Sequence, residues 1–226
     1  MTKSAELQRL ASLSDCVFAV AMTLLAFTVR IPEQGLDRAK LPGELIRMCG
    51  ESYGLVLSFA ITAMFWIGHV RLLRSLNNAT IGLVYLTFLQ LFWIVLLPIS
   101  TNLWNRIETK ETVLVMGGNL TLIAVCGLLM WTYSYRSGLC TPQFVALEII
   151  GRIFPLSLFI GSLIVAFCYP LIADKLWWGA FAAPLLIHLV RTQSWVKPPK
   201  EKVAFDQEDE TGRRPPESSG FGRLDQ

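Results

Sequence analysis

The sequence predicts an all-α membrane protein with six transmembrane helices. Hydrophobic residues make up 53% of the 226 residues and charged residues only 16%, where about a quarter is usual for a soluble domain. Six stretches contain no Lys, Arg, Asp or Glu, at positions 16–29, 53–68, 79–104, 112–133, 153–173 and 176–190. Each of them, with its flanks, approaches the ~20 residues that a helix needs to cross a bilayer. None shows the short alternation of polar and apolar residues that is typical of a membrane barrel.

Charged and loop-forming residues delimit the first three helices. The first is predicted over about residues 9–30, because Pro32 and a charged loop follow it. The second is predicted over about 44–71, where it ends in arginines that belong at a membrane edge. The third is predicted over about 79–103, and Pro98 is expected to kink or loosen its last turns.

Aromatic residues and prolines mark the ends of the last three helices. The fourth, over about 112–135, closes with Trp and Tyr residues that are typical of a membrane interface. The fifth, over about 144–169, is expected to stop near Pro170. The sixth, over about 175–190, opens with two tryptophans.

The distribution of basic residues predicts a multi-pass protein of the cell membrane with both termini in the cytosol. With the N-terminus inside, all the basic residues from 191 onward also fall on the cytosolic side. The first helix is expected to be retained, since no small-x-small cleavage site follows it. The transmembrane domain is predicted over residues 1–195, and the polar residues 196–226 are expected to form a disordered cytosolic tail.

Polar residues that could take part in binding or proton transfer occur at the start of the first helix and near the end of the second. The first helix opens with Arg9, Ser14 and Asp15 in the stretch RLASLSD. An ionisable group at this depth is expected to find a partner or to line a wet cavity. Alternatively, Asp15 is solvated at the interface, beside the positive end of its helix. The segment FWIGH supplies Trp66 and His69 as candidate hydrogen-bond partners for Ser14 or Asp15.

A stripe of four residues along the first helix is a second candidate site. On a helical wheel, Cys16, Val20, Thr23 and Phe27 fall within a sector about 60° wide, so they share one surface. Packing against another helix is the more common explanation of such a stripe, and this alternative stays open. Thr23 could also donate a hydrogen bond to the carbonyl one turn earlier.

Other classes of site find no support in the sequence. The five cysteines are scattered without a CxxC pair, and no HExxH motif occurs, so no resident metal or cofactor is expected. The absence of a phosphate-binding loop and of a GxSxG elbow argues against an enzyme. No TVGYG-like filter or arginine ladder is present either, and no nucleic-acid partner is predicted.

Three segments resemble a known family. The stretch Arg9-x-x-x-Leu13-Ser14-Asp15, followed by VFAVAMTLL, is similar to the R-x-x-x-F-S-D signature of the transmembrane protein 175 potassium channel family in its bacterial branch. FWIGHVRLLR resembles that family's F-W-x-x-H-H-R segment, and LVYLTFLQLFWIVLLP resembles its L-N-L-L-F-L-L-x-x-x-L-L-P helix. The resemblance is specific over about residues 9–101.

This resemblance implies a homotetramer whose four first helices surround a central pore. Bacterial members carry one six-helix repeat, and the chain shows no second copy of RLASLSD. The resemblance places the pore lining and constriction at Val20, Thr23 and Phe27, with rings of bulky side chains in place of a carbonyl filter. It implies a cation channel through which potassium ions pass, with a modest preference over sodium.

Several residues depart from the family pattern. Leu13 replaces a Phe, Val70 replaces a second His, and Thr87 stands where an Asn is usual. The polar network is therefore predicted to consist of Ser14, Asp15, Trp66 and His69. Val20 is smaller and Phe27 larger than the family's residues, which would move the narrowest ring to Phe27.

A proton-coupled secondary transporter that uses Asp15 and His69 as a relay is the main alternative. Such transporters normally show repeated halves with broken helices, and the sequence shows neither convincingly. A membrane scaffold without transport is a third interpretation. Titration of Asp15 and His69 could also make a channel sensitive to pH.

Overall fold

The computed structural model describes residues 3–29, 41–76, 78–107, 109–139 and 145–182. Within these ranges the chain forms helices and turns and contains no strand, which confirms the all-α prediction. The five long helices are α1 (Lys3–Leu24), α2 (Leu41–Ser75), α3 (Ile81–Arg106), α4 (Lys110–Arg136) and α5 (Val145–Cys168). Two one-turn helices follow, α6 (Pro170–Ala173) and α7 (Leu176–Gly179).

Five helical segments are long and apolar enough to cross a membrane. They are Ala5–Thr28, Leu41–Ser75, Ile81–Arg106, Lys110–Arg136 and Gly151–Cys168. They correspond in order to the first five predicted helices, so the chain is a multi-pass membrane protein.

The sixth predicted helix is described only at its beginning. Its first residues form α7, followed by a turn at 180–181. The part from residue 183 onward lies outside the described residues, as does the predicted tail over 196–226.

Local sequence explains several helix ends. Thr109 and Thr112 form a reciprocal capping box at the start of α4, which satisfies backbone donors that have no partner inside the helix. Pro170 occupies the first turn of α6, where its missing N–H costs nothing. Pro98 lies inside α3, which continues past it to Arg106, because neighbouring groups in a membrane bundle can satisfy the freed backbone.

The interior combines large apolar side chains with hydrogen bonds between helices. Its most buried members include Phe18, Leu57, Ile61, Ile94, Leu97, Met116, Leu120, Phe159 and Trp177. Polar side chains also join neighbouring helices: Thr101 Oγ1 donates to Ser58 Oγ at 2.9 Å, and Trp177 Nε1 donates to Ser162 Oγ at 2.9 Å. Close packing and such hydrogen bonds hold membrane helices together, since lipid tails are as apolar as the side chains.

Candidate functional site

One side of the first helical segment is buried against the rest of the chain. Ser14, Phe18, Ala21, Leu25 and Thr28 are each 2% exposed or less. Their spacing alternates between four and three residues, which is the pattern of a helix that presents one seam to its neighbours. This seam fixes the rotation of α1 about its own axis.

The predicted stripe lies on the opposite, outward side. Val20 is 56% exposed and Phe27 is 75% exposed, and Cys16 and Thr23 are exposed as well. The structure therefore places all four predicted residues on the surface of the single chain. Packing against the chain's own described helices does not explain the stripe.

The end of this segment departs from the regular helix that the wheel assumes. Residues Leu25–Thr28 form a 3₁₀ helix, and Thr28 Oγ1 donates to the Leu25 carbonyl at 2.7 Å. A 3₁₀ helix has three residues per turn, so each residue adds about 20° of rotation relative to an α-helix. Phe27 is consequently turned away from the direction that a regular helix would give it.

The Thr23 hydroxyl bonds to its own helix. Its Oγ1 donates to the Val20 carbonyl at 2.8 Å, which confirms the predicted back-bonding. A hydroxyl has a single proton and two lone pairs. The proton is thus committed to the backbone, and the lone pairs remain to face a donor or a cation.

Asp15 connects the first helix to the second. Trp66 Nε1 donates to Asp15 Oδ1 at 2.8 Å. Ser14 is buried and donates to the Leu10 carbonyl of its own helix at 2.9 Å. Arg9 and Leu13 lie on another side of α1, where they line a cleft together with the beginning of α3.

His69 is bound to a residue that the sequence analysis did not select. One of its ring nitrogens, Nδ1, lies 2.9 Å from Gln90 Oε1, and its ring centroid lies 5.6 Å from that of Phe18. His69 and Gln90 are both buried. The polar network predicted as one unit is therefore two separate pairs, Asp15 with Trp66 and His69 with Gln90. The sequence signal for the second pair was the Gln90 amide inside the apolar stretch LVYLTFLQLFW, since such a group needs a hydrogen-bond partner in a membrane.

Arg152 is a second residue that the sequence did not single out. In the structure its Nη2 donates to the Gly68 carbonyl at 2.7 Å, and its guanidinium lies 5.3 Å from the centroid of the Trp131 ring. A Cβ atom on Gly68 would lie 2.8 Å from Nη2, and one on Gly127 would lie 3.1 Å from Nη1. Two glycines on facing helices thus leave the space that the guanidinium occupies.

The Asp15–Trp66 hydrogen bond provides a first testable prediction. Trp66→Phe keeps an aromatic ring but removes the donor, so we expect a loss of about 1 kcal/mol of stability, the value typical of a single hydrogen bond. Asp15→Asn is the matched variant, because its amide oxygen still accepts the bond. Thermal unfolding in detergent measures both. A larger destabilisation by Asp15→Asn than by Trp66→Phe would show that the charge of Asp15, rather than this bond, matters.

Within the described residues, no group of three or more His, Cys, Asp or Glu side chains is placed to hold a metal ion.

Sequence comparisons connect the first part of the chain to known proteins. Residues 9–98 match the sequence profile of the family described as endosomal/lysosomal potassium channel TMEM175. A potassium channel of Chamaesiphon minutus is 23% identical over 137 residues, which cover 58% of this chain and 68% of the relative. A potassium channel of a Chryseobacterium species is 28% identical over 94 residues, which cover 42% of this chain and 46% of the relative.

Solved structures share the fold over a larger part of the chain. The crystal structure of a lysosomal potassium-selective channel TMEM175 homolog from Chamaesiphon minutus aligns with a TM-score of 0.71 at 20% identity, covering 81% of this chain and 98% of that one. A variant of the potassium channel MtTMEM175, solved in complex with a nanobody-MBP fusion protein, aligns with a TM-score of 0.58 at 17% identity. That alignment covers 82% of this chain and 93% of the other.

Proposed function

We propose that the chain, which matches the TMEM175 family over residues 9–98, is a potassium-preferring cation channel that works as a homotetramer. In this proposal the first helices of four copies line a central pore, through which potassium ions pass. The channel lies in the cell membrane with both termini in the cytosol. The relatives named above are potassium channels, which supports the choice of ion.

The outward stripe on the first helix is the observation that carries this proposal. Val20 and Phe27, two bulky apolar residues, are 56% and 75% exposed on the same outward side of the segment as the polar residue Thr23. Lipid would cover the apolar members equally well, but it offers nothing to the lone pairs of a hydroxyl. A narrow, intermittently wet pore accommodates both kinds of side chain.

Rings of bulky side chains form the constriction in this proposal. An apolar ring slightly wider than an ion loses its water easily. Such dewetting stops ion flow without the movement of a lid. Phe27 is the larger and the more exposed of the two apolar residues, so we assign the narrowest ring to it. The backbone carbonyls of Lys3–Leu24 are engaged in an α-helix, and this favours a path without a carbonyl filter.

The preference for cations is assigned to Thr23. Four hydroxyls whose protons are bound to backbone carbonyls present lone pairs that can replace part of an ion's hydration shell. We expect Thr23→Val to lower potassium conductance about fivefold, which corresponds to roughly 1 kcal/mol at the barrier. The same substitution should weaken the preference for potassium over sodium. Thr23→Ser retains the hydroxyl and is the matched control. Bi-ionic reversal potentials in planar bilayers measure the preference, and an unchanged Thr23→Val channel would contradict the assignment.

Potassium flux into liposomes tests the function itself. Purified protein that behaves as a folded tetramer should pass potassium down a gradient, and protein-free liposomes with and without a potassium ionophore set the limits of the assay. A folded tetramer that passes no potassium would overturn the proposal.

The transporter alternative gains no support from the geometry. Asp15 bonds to Trp66 and His69 bonds to Gln90, so the described hydrogen bonds do not link the two residues of the suggested relay. Saturable, proton-coupled uptake of a solute would be needed to favour it.

A further inference from the structure

A cleft of about 340 Å³ lies between α2 and α5, away from the outward stripe. Its volume is within the range of about 300–1,000 Å³ that is common for ligand sites. Most of its lining is apolar, from residues that include Ala60, Ala63, Met64, Ile67, Pro155 and Phe181. An apolar cleft of this size is poorly suited to hold water alone, because water needs polar partners.

Three charged side chains also line this cleft. They are Arg71 of α2 and Glu148 and Arg152 of α5, which together carry one excess positive charge. Arg71 Nη1 lies 3.9 Å from Glu148 Oε1, so this acid offsets part of the positive charge. Arg152 binds the Gly68 carbonyl through Nη2, whereas its buried Nε has no hydrogen-bond acceptor among the described residues. A buried donor without a partner is costly, and negative charge placed nearby in the cleft would stabilise the guanidinium.

The charged and apolar linings are separated along the direction of the helices. Arg71 lies one turn before the end of α2 at Ser75, and Glu148 and Arg152 lie in the first two turns of α5. Ala60 and Ala63 are two to three turns deeper along α2. The cleft is therefore basic near one membrane edge and apolar toward the middle of the membrane, which is the polarity of a lipid molecule.

We propose that this cleft is a binding site for an anionic phospholipid. The head group binds between Arg71 and Arg152, and one acyl chain occupies the apolar space between α2 and α5. Basic pockets between transmembrane helices select anionic head groups in this way. The proposal concerns binding alone, so it stands or fails independently of the proposed conductance.

Native mass spectrometry of the purified full-length protein tests this site. The protein in nonionic detergent is mixed with phosphatidylglycerol or with phosphatidylcholine that has the same acyl chains, and retained lipid is counted per subunit. We expect phosphatidylglycerol to be retained and phosphatidylcholine to bind about tenfold more weakly, a difference of about 1.4 kcal/mol. Soluble glycerol 3-phosphate should not compete, because it lacks the acyl chain.

Variants separate the head group's contribution from that of the chain. Arg71→Gln should weaken retention of phosphatidylglycerol about tenfold, whereas Arg74→Gln makes the same charge change at an exposed residue outside the cleft lining and should leave retention unchanged. Ala63→Leu fills apolar space without changing charge and should also reduce retention. Ala60→Leu provides the same test if Ala63→Leu does not fold.

Three results with lipids and variants would overturn the proposal. They are equal retention of the two lipids, unchanged retention in a folded leucine variant, and equal losses in Arg71→Gln and Arg74→Gln. Displacement of the lipid by glycerol 3-phosphate would also contradict it, since the site would then recognise a free anion.

Discussion

Phe27→Ala is expected to raise conductance and to increase the permeability of sodium relative to potassium. Phe27 has the most exposed large side chain of the outward stripe, and its ring forms the narrowest point in the proposed pore. Truncation widens that point and keeps it wet, so the barrier to both ions falls. A fall of about 1.4 kcal/mol raises the rate about tenfold. Single-channel conductance and the reversal potential under bi-ionic conditions measure the two effects.

Phe88→Ala is the matched control for this experiment. Phe88 is 51% exposed on α3, so the same substitution is made on an outward surface that the proposal does not place in the pore. We expect its conductance and reversal potential to equal those of the unmodified channel. If Phe27→Ala conducts with an unchanged reversal potential, the assignment of the pore to this stripe is wrong.

Gly117→Leu is expected to cause a large loss of stability. A Cβ atom on Gly117 would lie 3.1 Å from Leu163 Cδ2 and 3.4 Å from Ser162 Oγ, both on α5. Small residues let membrane helices approach closely, and a leucine here would force α4 and α5 apart. Overpacking of this kind costs about 1–3 kcal/mol or more. Thermal unfolding and the yield of monodisperse protein in detergent measure the effect.

Gly118→Leu provides a control at the next position of the same helix. A Cβ atom on Gly118 would meet nothing within 4 Å. Leucine is also the better helix former by up to about 1 kcal/mol, so this variant should be as stable as the unmodified protein or more so. Equal destabilisation at both positions would show that the backbone freedom of glycine, rather than the close contact, matters.

The fold was predictable because the bilayer imposes simple requirements on a sequence. The helices predicted from long uncharged stretches and their flanks correspond to α1 through α5 within a few residues at most ends. The boundaries differ where polar residues extend a helix: α2 begins at Leu41 rather than near residue 44 and ends at Ser75 rather than near residue 71. Hydropathy reports where lipid begins, whereas a helix continues into the interface as long as its backbone donors and acceptors remain paired.

The candidate site was only partly predictable. The period of the helix predicted that Val20, Thr23 and Phe27 share one side of the first helix. In the structure all three residues are exposed. The partners of the polar residues did not follow from that period. Gln90 and Arg152 reach His69 and Gly68 across large separations in sequence, and only the arrangement of the helices decides such contacts.

By itself, the sequence determined the all-α membrane fold, the order of five long helices, the polar opening of the first helix and the residues that share its stripe. These properties depend on composition and on the period of one helix, which are local. The tertiary structure alone decided that the stripe faces outward, that Leu25–Thr28 tighten into a 3₁₀ turn, that the polar network divides into two pairs, and that Gly117 meets a neighbour while Gly118 does not. Each of these depends on which helix lies beside which, and side-chain packing across helices sets that arrangement.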